Sequence, residues 1–129
     1  MKYKLKNNEE EWKNKLTKEQ FHILMEAGTE MPFTGEYVNN KSKGIYKCAA
    51  CGFNLFSSDS KFDSGTGWPS FDKPLKNIET KEDRKLGIKR IEVKCPKCGG
   101  HLGHVFSDGP TKTKKRYCIN SCSLKFKGK

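Results

Sequence analysis

Long apolar runs are missing from this 129-residue chain. Nothing in it approaches the roughly 20 consecutive apolar residues that cross a bilayer, so neither a membrane span nor a membrane partner is expected. The opening residues, MKYKLKNNEEEW, also lack the apolar stretch of a secretion signal, and a cytoplasmic protein is the expectation. Apolar residues of every kind make up 33% of the chain, and mean hydropathy is -0.85. A chain of this length closes one thin core, which small domains often brace with a metal or disulfides. Arginine is scarce as well. Arg84, Arg90 and Arg116 are its only examples among 26 basic residues, which outnumber 15 acidic ones for a net charge of +11. Reading of base edges and phosphates draws on the arginine fork. The lysines are instead spread along the chain, with short clusters at residues 41–47, 112–116 and 125–129. That distribution reads as a solvated surface, and no nucleic-acid partner is expected.

What is present changes texture after Pro32. Before it, Asn8 followed by Glu9, Glu10 and Glu11 reads as a capped helix start that turns Trp12 and Leu16 inward. Thr17 to Gln20 fits a capping box, with Phe21, Leu24 and Met25 on one face and Gly28 placed to end the second helix. After Pro32 come short β-rich runs, GIYKC, NLFSS, IKRIEVKC, HVF and RYCINSCSLKF, separated by Gly, Pro, Asp and Ser. Residues 77–85 read as an exposed loop. The expected fold is mainly β (α+β): one domain over residues 1–129, with a helical lead-in at about residues 1–28 and an antiparallel β core at about 29–127.

Four of the six cysteines form two CxxC turns, Cys48 with Cys51 and Cys95 with Cys98, each followed by glycine. In a reducing compartment two such knuckles point to one zinc ion rather than to disulfides. Four thiolates complete a tetrahedral shell and leave no position for water, so the Zn2+ should be structural. The 43 residues between Cys51 and Cys95 mean that it ties distant parts of the chain together.

The remaining thiols lie in RYCINSC. On a strand, Arg116, Cys118, Asn120 and Cys122 share one face. That face is polar. A guanidinium favours a thiolate and an amide can hydrogen-bond a reacting oxygen, whereas an inert buried cysteine calls for apolar neighbours. The stretch CGGHLGHVFSDGP adds His101, His104 and Asp108; the imidazoles suit lowering a thiol pKa or donating a proton, or an ordinary structural role. Trp68, between Gly67 and Pro69, is either a core plug or an apolar wall for a thioether.

Taken together, GTEMPFTGEY, KFDSGTGWPSF, GGHLGHVFSDGP, RYCINS and the two CxxC pairs resemble the zinc-binding branch of the methionine sulfoxide reductase B family over residues 29–126. The resemblance implies two antiparallel β-sheets with short N-terminal helices and a zinc ion away from the active site. It implies reduction of the R epimer of methionine sulfoxide, protein-bound or free, through a sulfenic acid on Cys118. His101, His104, Asp108, Arg116 and Asn120 would surround the sulfoxide, with Trp68 and Phe106 as substrate-binding residues. Thioredoxin, glutaredoxin or a small thiol would be the reductant, and a monomer is expected. The chain departs from the family in having Thr66 where many members carry a resolving cysteine, and in carrying Cys122 where a small residue is usual. Lys112 and Lys114 replace a common Pro and Gly before RYC. Cys122 reads as a packed strand residue ahead of a resolving thiol, because strand positions i and i+4 lie about 13 Å apart and a disulfide needs Cα atoms within roughly 7 Å.

Overall fold

The computed structural model of the chain describes residues 9–76, 78–84 and 87–128. Two short helices open it, α1 over Glu9–Lys15 and α2 over Lys18–Glu26. The proposed cap at Asn8 lies outside the described residues. Between the helices, the Thr17 hydroxyl accepts from the Gln20 amide at 3.1 Å and the Thr17 amide donates to Gln20 Oε1 at 3.0 Å, a complete capping box. Trp12, Leu16, Phe21, Ile23 and Leu24 are buried. One detail corrects the sequence reading: Ala27, not Gly28, takes the left-handed conformation that ends α2, with φ 54°. The Gly28 amide then donates back to the His22 carbonyl at 3.1 Å. Among the described residues no helix is long and apolar enough to cross a membrane.

Among the described residues nine strands follow: β1 Gly44–Cys48, β2 Asn54–Ser57, β3 Lys61–Phe62, β4 Ser70–Phe71, β5 Glu79–Asp83, β6 Arg90–Lys94, β7 His101–Phe106, β8 Arg116–Ile119 and β9 Leu124–Gly128. They form two antiparallel sheets, one of three strands in the order β2-β1-β9 and one of six in the order β3-β4-β8-β7-β6-β5. Aromatic rings join the sheets. Phe71 of β4 stacks on Phe56 of β2 with centroids 4.4 Å apart and meets Tyr46 of β1 edge-on at 5.1 Å. The same apolar cluster takes in Leu102, Ile119, Leu124 and the inner side chains of both helices.

Two further expectations are corrected. The loop expected at residues 77–85 contains β5, a five-residue edge strand paired along its length with β6. Its sequence, ETKED, has no apolar alternation, and an edge strand can be held by its ladder hydrogen bonds alone. RYCINSCSLKF is not one strand either. A 3-10 turn at Ser121–Ser123 separates β8 from β9 and carries the chain from the six-stranded sheet to the three-stranded one. This break moves Cys122 off the face it was expected to share with Cys118.

Candidate active site and metal centre

Register builds the site. Cys118 of β8 pairs with Ser70 of β4 on one side and with His104 of β7 on the other, and His104 pairs with Glu92 of β6. Directly opposed residues of antiparallel strands project from the same face, so one row across four strands brings these side chains together. One step along β8 and β7, Arg116 pairs with Phe106. The guanidinium lies over the Phe106 ring, 4.4 Å from its centroid, and is held in a two-point bond to Asp108 at 2.9 and 3.1 Å. That bond lowers the Asp108 carboxyl and raises Arg116. The close approach of β7 to β8 requires Gly103, since a Cβ there would run into the Cys118 carbonyl.

The row opens into a cleft of about 250 Å³ whose walls include Thr66, Trp68, Arg90, His104, Phe106, Arg116, Cys118 and Asn120. Burial raises the Cys118 thiol above its ordinary value. A hydrogen bond from Thr66 and the charge of Arg116 pull the other way, and Glu30 adds to the rise. His104 Nε2 meets Asp83 Oδ2 at 2.9 Å, leaving Nδ1 for an occupant of the cleft, and Arg90 meets the same carboxylate oxygen at 3.4 Å. His101 stands behind. Only 3% exposed, it bonds Glu92 through Nδ1 at 2.6 Å and lines an adjoining cavity together with His104, Asp83 and Arg90. The structure therefore gathers Trp68, His104, Phe106, Arg116, Cys118 and Asn120 around one cleft. It places His101 beside that cleft and Asp108 outside it as the anchor of Arg116.

Glu30 ties the remaining wall together. Its carbonyl accepts from Trp68 Nε1 at 3.0 Å, its amide donates to Asn120 Oδ1 at 3.1 Å, and its Oε1 accepts from the Cys122 amide at 2.9 Å. The indole and the Asn120 amide are thereby held at fixed positions. Asn120 Nδ2 donates to the Leu102 carbonyl at 3.1 Å, which leaves its second N–H for the cleft. Glu30, Asp83, Arg90 and Glu92 were missed in the sequence. Arg90 and Glu92 had a signal, charges that alternate with Ile91 and Val93 in the run RIEVK. Asp83 had none, because its segment did not read as a strand.

Cys122 faces elsewhere. It lines a separate cavity with Glu19, Glu30 and Glu36, and burial followed by the Glu19 carboxylate pushes its thiol well above the ordinary thiol range. The strand geometry used to judge its distance from Cys118 does not hold through the 3-10 turn. The separation rests instead on Cys118 and Cys122 lining different cavities.

The other four thiols lie at the end of β1 and just beyond β6. Their sulfurs are all within 4.8 Å of one another. Cys48 Sγ is 3.7 Å from Cys98 Sγ, and Cys51 Sγ is 3.6 Å from Cys95 Sγ. Sulfurs about 2.3 Å from a tetrahedral ion stand about 3.8 Å apart, so the donor set fits a metal of that kind.

Comparison with known proteins places this arrangement among relatives. The SelR domain family matches residues 16–128. The chain is 58% identical over 125 residues to a protein of Methanosarcina barkeri named peptide methionine sulfoxide reductase MsrB, covering 95% of this chain and 88% of the relative. It is 56% identical over 128 residues to the protein of that name from Leptospira interrogans, covering 98% of each. A third, from Agrobacterium fabrum, is 52% identical over 125 residues, covering 95% and 93%.

Proposed function

Because the chain belongs to the SelR domain family, alongside the MsrB peptide methionine sulfoxide reductases, we propose that it reduces the R epimer of methionine sulfoxide, in peptides and as the free amino acid, with Cys118 as nucleophile. The observation that carries this reading is the cleft itself, in which a half-buried thiol faces an indole wall, an imidazole, a guanidinium and an amide. The indole suits the methyl group next to the sulfoxide sulfur. The polar wall suits its oxygen.

A sulfoxide sulfur is electrophilic, but its oxygen leaves only when protonated or strongly hydrogen-bonded. Burial keeps Cys118 a thiol in the resting enzyme. The proton it gives up on attack is the one the oxygen needs, and His104, buttressed by Asp83, is the group placed to carry it. The sulfoxide S–O bond breaks, the sulfoxide sulfur is reduced by two electrons to the thioether, and the Cys118 sulfur, oxidised by the same two electrons, takes the oxygen as sulfenic acid. An external thiol then attacks that sulfur, releasing water and leaving a mixed disulfide, which a second thiol opens to restore Cys118. Thioredoxin, glutaredoxin or a small thiol fills this role, since Thr66 carries no sulfur and Cys122 is held protonated in another cavity. Zn2+ held by Cys48, Cys51, Cys95 and Cys98 would brace the two sheets and take no part in the chemistry, its coordination being complete.

Separated R and S epimers offered with dithiothreitol test the proposal. The R epimer alone should be consumed, and Cys118→Ser should lose that activity without a change in melting temperature. Equal use of both epimers, or turnover by Cys118→Ser, would reject it.

A further inference from the structure

Three hydroxyls stand in line behind Cys118. Ser64 Oγ lies 2.7 Å from Thr66 Oγ1 and 2.7 Å from Ser70 Oγ, and it also accepts from the Thr66 amide at 3.3 Å. Ser70 Oγ lies 3.2 Å from the Trp68 carbonyl. At the other end Thr66 and Cys118 line the same cleft, and the Thr66 hydroxyl pulls the Cys118 thiol down. Ser70 is fully buried, and it is the register partner of Cys118 across β4 and β8.

Each hydroxyl has one proton and can accept two. With a thiol at Cys118, the satisfied order runs away from sulfur: Thr66 donates to Ser64, Ser64 to Ser70, and Ser70 to the Trp68 carbonyl. With a thiolate all three must turn, Ser70 donating to Ser64, Ser64 to Thr66, and Thr66 to the sulfur. In both orders every hydroxyl proton has an acceptor, and Ser64 accepts from the Thr66 amide throughout. No other arrangement delivers the Thr66 proton to sulfur while keeping both 2.7 Å contacts as hydrogen bonds. Hydrogen bonds in such a chain polarise one another, and a bond to an ion is about twice as strong as one between neutral groups.

We propose that Ser70, Ser64 and Thr66 form a reversing hydroxyl chain whose proton direction follows the state of the Cys118 sulfur, so that Ser64 and Ser70 are positioning residues acting through Thr66. The chain gives Thr66 a purpose of its own. A hydroxyl aimed at the sulfur stabilises the attacking thiolate, and the reversed order accepts a hydrogen bond from the sulfenic acid that replaces it. The inference rests on Cys118 as the reacting thiol, but its test needs no turnover.

The other charged or titratable groups around Cys118 are Arg116 on its own strand, His104 from β7, Arg90 from β6 and Glu30 from the segment after α2. All are retained in the variants below. The pH dependence of iodoacetamide labelling, followed by mass spectrometry of the peptide carrying Cys118, reads the ionisation of this sulfur directly. Thr66→Val should raise the midpoint by about one pH unit, the loss of one hydrogen bond to a charged group. Thr66→Ser should restore it. Ser64→Ala should raise it by roughly half as much, and Thr66→Val with Ser64→Ala should equal Thr66→Val alone, since Ser64 reaches the sulfur only through Thr66. An unchanged midpoint in Ser64→Ala, or additive shifts in the double variant, overturns the chain. Should Ser64→Ala fail to fold, Ser70→Ala reads the chain from its far end and must also raise the midpoint, an unchanged value refuting it. A wild type that labels as described but turns over no sulfoxide would sink the enzyme reading and leave the chain standing.

Discussion

Replacing Cys98 with serine should lower the melting temperature by about 15 °C. Cys48 and Cys51 follow from β1 in the three-stranded sheet, and Cys95 and Cys98 from β6 in the six-stranded sheet. A cation held by all four is therefore a crosslink between sheets, and 43 residues lie between Cys51 and Cys95. Closing a loop of that length removes about 4 kcal/mol of chain entropy from the unfolded state. For a chain of this size, about 0.27 kcal/mol per kelvin of unfolding entropy converts that loss into about 15 °C. The figure is a floor, because the ligand bonds add to it and structural zinc supplies on the order of 10 kcal/mol. Cys98 is the right thiol to change: it is partly exposed, whereas Cys48 and Cys95 are 1% and 0% exposed and would confound loss of metal with loss of packing. The assay is thermal denaturation by circular dichroism, paired with elemental zinc measured on the same samples, with and without a strong chelator. Wild type should carry one zinc per chain and fall to the variant's melting temperature on chelation, and the variant should not respond. A metal-free wild type that melts within about 3 °C of the native protein would refute the crosslink.

Three further outcomes are expected. Cys122 has its thiol raised above the unfolded value, so the stability it contributes is fully present below about pH 8.5 and is lost as pH rises through the alkaline range above it. Melting temperature should therefore decline through the alkaline range less steeply in Cys122→Ser than in wild type, and mass spectrometry after one turnover without reductant should find no Cys118 to Cys122 disulfide. Lys114 sits in the left-handed region with φ 56°, in the turn that leads into β8. Relief of about 1 to 2 kcal/mol of strain, less the added freedom of glycine when unfolded, makes Lys114→Gly more stable by about 0.5 to 1 kcal/mol in denaturant titration. A destabilised variant would show that the strain is not there.

Several parts of the fold were legible because their causes are local. The capping box of α2 needs only Thr17 and Gln20 at the right spacing, and strands such as GIYKC carry the β-branched and aromatic residues that fit a pleated surface. The metal knuckles were equally plain, since a CxxC turn closed by glycine is defined within five residues. Segments held by their partners left no such mark. β5 is polar throughout and exists because β6 offers it a ladder, and the break at Ser121–Ser123 arises where the chain must change sheets, which nothing in its own residues announces.

The same division runs through the site. By itself the sequence determined which chemical groups were available: a thiol between a guanidinium and an amide, two imidazoles, an indole in a tight turn, and four thiolates for a metal. Only the tertiary structure decided which of them meet. The register across β4, β8, β7 and β6 sets Ser70, Cys118, His104 and Glu92 in one row, β5 brings Asp83 to His104, Thr66 joins Cys118 in one cleft, and Cys122 lies among carboxylates in another. The physical reason is that strand pairing depends on hydrogen bonds and packing between segments far apart in the chain, so a residue's neighbours, and with them its reactivity, are fixed only when the sheets close.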